Sequence, residues 1–98
     1  MTLYVAQHEH SADRCPARDP QMGAMLLLHL SKETAAKSGI KIQSKAVVDG
    51  QHRLVLILEA ADEGAVRSYL APFAQAGTVE VFASSTCEAV VERHGCDA

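Results

Sequence analysis

Ile40-Lys41-Ile42-Gln43-Ser44-Lys45-Ala46-Val47-Val48-Asp49-Gly50-Gln51-His52-Arg53-Leu54-Val55-Leu56-Ile57-Leu58-Glu59 is the stretch whose reading decides the fold. Two β-rich runs, 40–48 and 51–59, flank Asp49-Gly50, a dipeptide that suits a type I′ hairpin turn because both residues tolerate positive φ. The second run is apolar at Leu54, Leu56 and Leu58 and again at Val55 and Ile57, so both faces of that strand ask for burial. Upstream, Thr2–Gln7 reads as a first strand centred on Tyr4 and Val5. Asp19-Pro20 then starts a helix, with Asp19 as the N-cap and proline at the first helical position. That helix is expected over about 21–38, and Gly39 ends it. Downstream, Asp62 caps a second helix on which Val66, Tyr69, Leu70 and Phe73 repeat at i, i+3, i+4 and i+7. Pro72 kinks or ends that helix early. Thr78–Ala83 is a fourth strand. Ser85-Thr86-Cys87-Glu88 reads as a capping box, with Ser85 as cap, for a short terminal helix that stops near Gly95.

The order β-α-β-β-α-β plus a terminal helix is an α+β, ferredoxin-like arrangement. It implies a four-stranded antiparallel sheet with helices on one face and the first and third strands at the centre. The two-sided third strand leaves an apolar sheet face without a cover, and a second copy packed sheet to sheet would supply one. A homodimer is therefore expected. On the element order, the Asp49-Gly50 hairpin and the two-sided strand, the chain resembles the dimeric α/β-barrel group of ferredoxin-like proteins over nearly its whole length. Members of that group include cofactor-free monooxygenases, haem-degrading enzymes, metal-binding proteins and stress proteins, so the resemblance implies a fold and a pairing but leaves the activity open. The copper-chaperone branch of ferredoxin-like folds resembles this chain less. It carries Cys-x-x-Cys in its first loop, where this chain has histidines and one cysteine.

The 98 residues are read as a single domain, 1–98, with 48% hydrophobic and 21% charged side chains and a net charge of -3. The nine Lys and Arg residues are scattered, which speaks against a nucleic-acid surface. No apolar stretch approaches membrane-spanning length, and the start lacks the basic region of a signal peptide, so a cytoplasmic protein without a membrane partner is expected. Three cysteines, Cys15, Cys87 and Cys96, make an odd set suited to free thiols or metal ligands rather than a disulfide framework.

The chemistry concentrates in Gln7-His8-Glu9-His10-Ser11-Ala12-Asp13-Arg14-Cys15-Pro16. His8 and His10, two apart on an extended chain, project to one side, and a turn-rich loop can fold Cys15 back towards them. Imidazole and thiolate are ligands for borderline and soft ions, so zinc, nickel or copper would suit a His8/His10/Cys15 set, with Glu9 and Asp13 orienting the rings. Cys87, in the first turn of the last helix, is a further candidate ligand or reactive thiol, and equally a small buried hydrophobe. The antiparallel fourth strand, however, carries Cys87 to the opposite end of the sheet from His8. The last helix can return His94 or Cys96 towards the loop. His29 shares a helical stripe with Met22, Met25 and Leu26 and is the candidate for contact with a cofactor or substrate in the helix–sheet cleft, although a hydrogen-bonded histidine at the core margin is the plainer role. His52 and His94 read as surface residues.

Two functions follow. One is a small transition-metal-binding protein for sequestration, sensing or delivery, through His8, His10 and Cys15. The other is a small-molecule enzyme, monooxygenase- or isomerase-like, using the cleft beside His29, with no catalytic residue assigned. A third possibility is a plain dimerisation module with no site.

Overall fold

A computed structural model describes residues 1–97. The sheet runs β2-β3-β1-β4, built from β1 (Thr2–His10), β2 (Lys41–Val48), β3 (Arg53–Ala60) and β4 (Gly77–Ser84). All neighbours pair antiparallel, with β1 and β3 central. The helices are α1 (Pro20–His29), α2 (Lys32–Lys37), α3 (Glu63–Tyr69), α4 (Ala71–Ala74) and α5 (Cys87–Glu92). This order and connectivity is the ferredoxin-like α+β fold, as the hairpin and the strand pattern predict. Among the described residues, no helix is long and apolar enough to cross a membrane.

One sheet face makes the core. Tyr4, Ala6 and His8 of β1 stand opposite Leu58, Leu56 and Leu54 of β3, and all six are buried. The stripe Val66, Tyr69, Leu70 and Phe73 covers them and is buried as its spacing predicts. The other face is open. There Val5 stands between Ile57 and Phe82 in register, and Ile57 and Phe82 remain 37% and 45% exposed in the single chain. The two-sided apolar pattern of β3 is thus satisfied on one side only.

Local details differ from the sequence reading, each for an identifiable reason. β1 runs on through His10 because β3 and β4 pair with it up to Glu9 and His10 respectively. The long helix of 21–38 is two helices. Ser31 accepts a hydrogen bond from Thr34 N (3.3 Å) and donates one to Leu28 O (2.7 Å), so its hydroxyl competes with the helical ladder and restarts the helix as an N-cap. The hairpin connection spans 49–52 rather than two residues. Only Gly50, at φ +75°, and His52, at φ +49°, take positive values there, so the turn is not type I′. The terminal helix is capped by Thr86, whose hydroxyl accepts from Ala89 N (3.2 Å), while Ser85 instead accepts from Arg93 Nη1 (2.9 Å). Glu88 therefore falls at the second helical position and closes no capping box.

Gly77 carries a spatial constraint. A Cβ at this position would lie 2.0 Å from the carbonyl oxygen of Glu9, where β4 begins beside the end of β1. Gly77→Ala is expected to destabilise the protein by about 3 kcal/mol, the upper range for overpacking a site walled by backbone. Urea unfolding measures this, and an unchanged midpoint would contradict it.

Candidate functional site

The end of β1 carries a directed chain of imidazoles. His8 is the buried polar residue of the core, 4% exposed, and its Nδ1 donates to the carbonyl of Thr78 on β4 at 3.0 Å. A carbonyl can only accept, so Nδ1 holds the proton and Nε2 of the neutral ring is an acceptor. His10 Nδ1 lies 3.3 Å from that Nε2 and must donate to it. The remaining nitrogen, His10 Nε2, therefore carries a lone pair. It is buried and has no hydrogen-bond partner among the described residues. Burial holds the His8 imidazole below its ordinary pKa, against an opposite pull from the bond to Thr78. Burial, and then the neighbouring His8 and His52, lower that of His10. Both rings are thus held towards their neutral forms.

Cys15 and His52 meet His10 at this point. Cys15 lies between two short 3₁₀ turns, Ala12–Arg14 and Pro16–Arg18, and is partly buried. His52 enters from the hairpin loop, its carbonyl accepting from His10 N at 3.2 Å and its ring centroid 5.3 Å from that of His10. One ligand atom from each of His10, Cys15 and His52 lies within 4.8 Å of the others. Of the set read from the sequence, His10 and Cys15 come together. His8 stands behind His10, both of its nitrogens engaged, and His52, read as a surface residue, takes its place. The neighbourhood of His52 is legible only through strand register, since Arg53 pairs with Glu9, one residue before His10.

The other candidates lie apart. Glu9 faces the opposite side of the sheet from the imidazoles and pairs with Arg53 at 3.5 Å. The Asp13 carboxyl is held low chiefly by the Ser11 hydroxyl. Cys87 is exposed at the start of α5, beyond Ser84, which pairs with Leu3 at the far end of β1 from His10. Cys96 is also exposed, and its carbonyl accepts from Arg93 Nη2 at 3.0 Å.

A second feature adjoins the first. α1 has no fully buried residue, although its Leu26 packs against the core, and beside it lies a cavity of about 400 Å³ lined by Met22, Met25, Leu26, His29, Phe73 and His8, among others. His29 is locked in it. Its Nε2 donates to Tyr69 O at 2.8 Å, Tyr69 Oη donates to His29 O at 2.6 Å, and the two rings stack 4.5 Å apart at 13°. Nε2 therefore carries a proton, and Nδ1 makes no hydrogen bond among the described residues.

Fold and site together define a ferredoxin-like α+β domain with an imidazole–thiol cluster at one end of its sheet and an apolar cleft beside it. No protein-family model matches the chain, and comparison with curated proteins finds no match. Among solved structures the chain is similar to a "putative antibiotic biosynthesis monooxygenase" from Deinococcus radiodurans, with 16% identity and a TM-score of 0.47, over 88% of this chain and 92% of that one.

Tyr69 supplies a pH test of the His29 lock. Burial pushes its phenol up to about 12, above the ordinary value near 10. The folded state holds this proton more tightly than the unfolded chain does. The corresponding stability is present below about pH 10 and is lost as pH rises towards about 12. Tyr69→Phe is expected to cost about 1 kcal/mol at neutral pH through the lost bond to His29 O and to remove this part of the alkaline loss. Urea midpoints taken on both proteins across this range check it, and parallel curves would contradict it.

Proposed function

We propose that the chain acts as a homodimeric small-molecule enzyme of the dimeric α/β-barrel type, with its substrate held between α1 and the sheet. The supporting observation is the cleft, whose volume of about 400 Å³ lies within the usual range for small-molecule sites. Its walls are mostly apolar, and Met22 and Met25 give them an adaptable surface. The substrate this suits is a compact, largely apolar molecule. A histidine with a fixed tautomer and one free nitrogen beside such a pocket suits proton abstraction from the bound molecule, and His29 Nδ1 is the atom for it. Arg14, also on the cleft lining, suits an acidic group on the substrate.

The cleft is tested with 1-anilinonaphthalene-8-sulfonate as an apolar, anionic probe. The chain has three methionines, Met1, Met22 and Met25, so a methyl-labelled spectrum resolves the site directly. The expected result is saturable binding that shifts Met22 and Met25 and spares Met1, weakened several-fold by Met25→Trp and by Arg14→Gln. Binding that leaves Met22 and Met25 unmoved would contradict this reading.

The homodimer is supported by the open face, where Val5, Ile57 and Phe82 form a contiguous apolar patch by register. A second copy of the same patch is self-complementary about a two-fold axis. Sedimentation velocity is expected to give twice the 10.5 kDa chain mass, and Phe82→Glu is expected to give the single chain with its helical signal retained. A wild-type protein that sediments as one chain would contradict the pairing.

A further inference from the structure

We propose that His10, Cys15 and His52 together bind one late first-row transition-metal ion of the zinc class, with His8 acting as a positioning residue behind His10. Its three ligands are not among the residues lining the cleft, so the two readings are tested separately.

The first argument is the direction of the imidazole chain. The Thr78 carbonyl fixes the tautomer of His8, and His8 fixes that of His10, so the lone pair of His10 Nε2 faces away from both partners. That atom is buried and unpartnered among the described residues. A buried polar atom without a partner costs about 1–3 kcal/mol, and an ion on the lone pair would remove that cost. Metal-bound histidines commonly donate their second nitrogen to an acceptor that sets ring orientation and basicity. Here that acceptor is His8, anchored in turn on the backbone.

The second argument is which residues gather at His10. One ligand atom from each of His10, Cys15 and His52 lies within 4.8 Å of the others, and with Nδ1 engaged on His8, Nε2 is the His10 nitrogen left to take an ion. Ion-to-ligand distances of about 2.0–2.3 Å in a tetrahedral site place ligand atoms roughly 3.3–3.8 Å apart. Binding would draw the three ligand atoms together by side-chain rotation. His52 holds φ +49°, an uncommon conformation for a residue with a side chain, and its carbonyl is tied to His10 N. The hairpin loop is thereby fixed with this imidazole beside the other two ligands. On binding, the Cys15 thiol releases its proton to solvent and both imidazoles bind as neutral rings. One thiolate and two imidazoles favour zinc, copper or nickel over magnesium or calcium. Three protein ligands leave a fourth position for water or another small ligand. His8 touches both features, since it also lines the α1 cleft and packs edge-on against Phe73 at 5.0 Å.

Cobalt(II) is the spectroscopic probe, titrated into tag-free, reduced, chelator-stripped protein. The expected result is one equivalent of binding with a thiolate-to-cobalt charge-transfer band that zinc abolishes. Cys15→Ser is expected to remove the band, and His10→Ala and His52→Asn to weaken binding at least tenfold. Asparagine is chosen because it tolerates the left-handed backbone. His8→Phe, which keeps the volume but removes the acceptor, is expected to weaken binding about 10- to 100-fold while the far-ultraviolet circular dichroism stays that of the folded protein. Cys87→Ser and Cys96→Ser are expected to bind as wild type. No charge-transfer band in the wild-type protein, a band that disappears with Cys87→Ser rather than Cys15→Ser, or undiminished binding by His52→Asn would overturn the proposal.

Discussion

The hydrogen bond from His8 Nδ1 to the Thr78 carbonyl, 3.0 Å long, is the interaction on which both functional features rest. An imidazole buried in an aliphatic core is costly unless its nitrogens are satisfied. This one is satisfied by the strand pairing itself, because β4 begins beside the end of β1 and presents a carbonyl towards it. Gly77 permits that approach, since a Cβ there would collide with the Glu9 carbonyl. The price of a polar core residue is thus met by the backbone, and the result is a ring of fixed tautomer with its Nε2 directed at His10.

The same ring joins the two sites. One edge of His8 meets His10, and another part of it borders the cleft below α1. Phe73 packs against both His8 and His29, with ring centroids at 5.0 and 5.8 Å. The α3–α4 segment that supplies Tyr69 and Phe73 therefore positions both histidines from one side.

The fold was legible from hydrophobic period and turn chemistry. Leu54, Leu56 and Leu58 of β3 and the i, i+3, i+4 repeat of Val66, Tyr69, Leu70 and Phe73 meet in one core on one sheet face, while Val55 and Ile57 mark the second face. The features that escaped the sequence depend on single hydroxyls and on register. Ser31 divides the first helix because its side chain bonds to both Thr34 N and Leu28 O, and no hydrophobic period records that. His52 looked like a surface residue because the Asp49-Gly50 signal implied a tight two-residue turn. The four-residue loop instead leaves His52 in a left-handed conformation with its carbonyl on His10 N. His8 and His10 do share one side, as their spacing implies, but at that spacing they bond to each other and leave one lone pair between them.

The protonation pattern of these rings is directly observable. Long-range nitrogen–proton correlation spectra of the metal-free protein at neutral pH assign each imidazole tautomer. The expected result is that both His8 and His10 are neutral and carry their proton on Nδ1. His10 found with its proton on Nε2, or His8 with its Nδ1 unprotonated, would contradict the directed chain and remove the basis for a free lone pair on His10 Nε2.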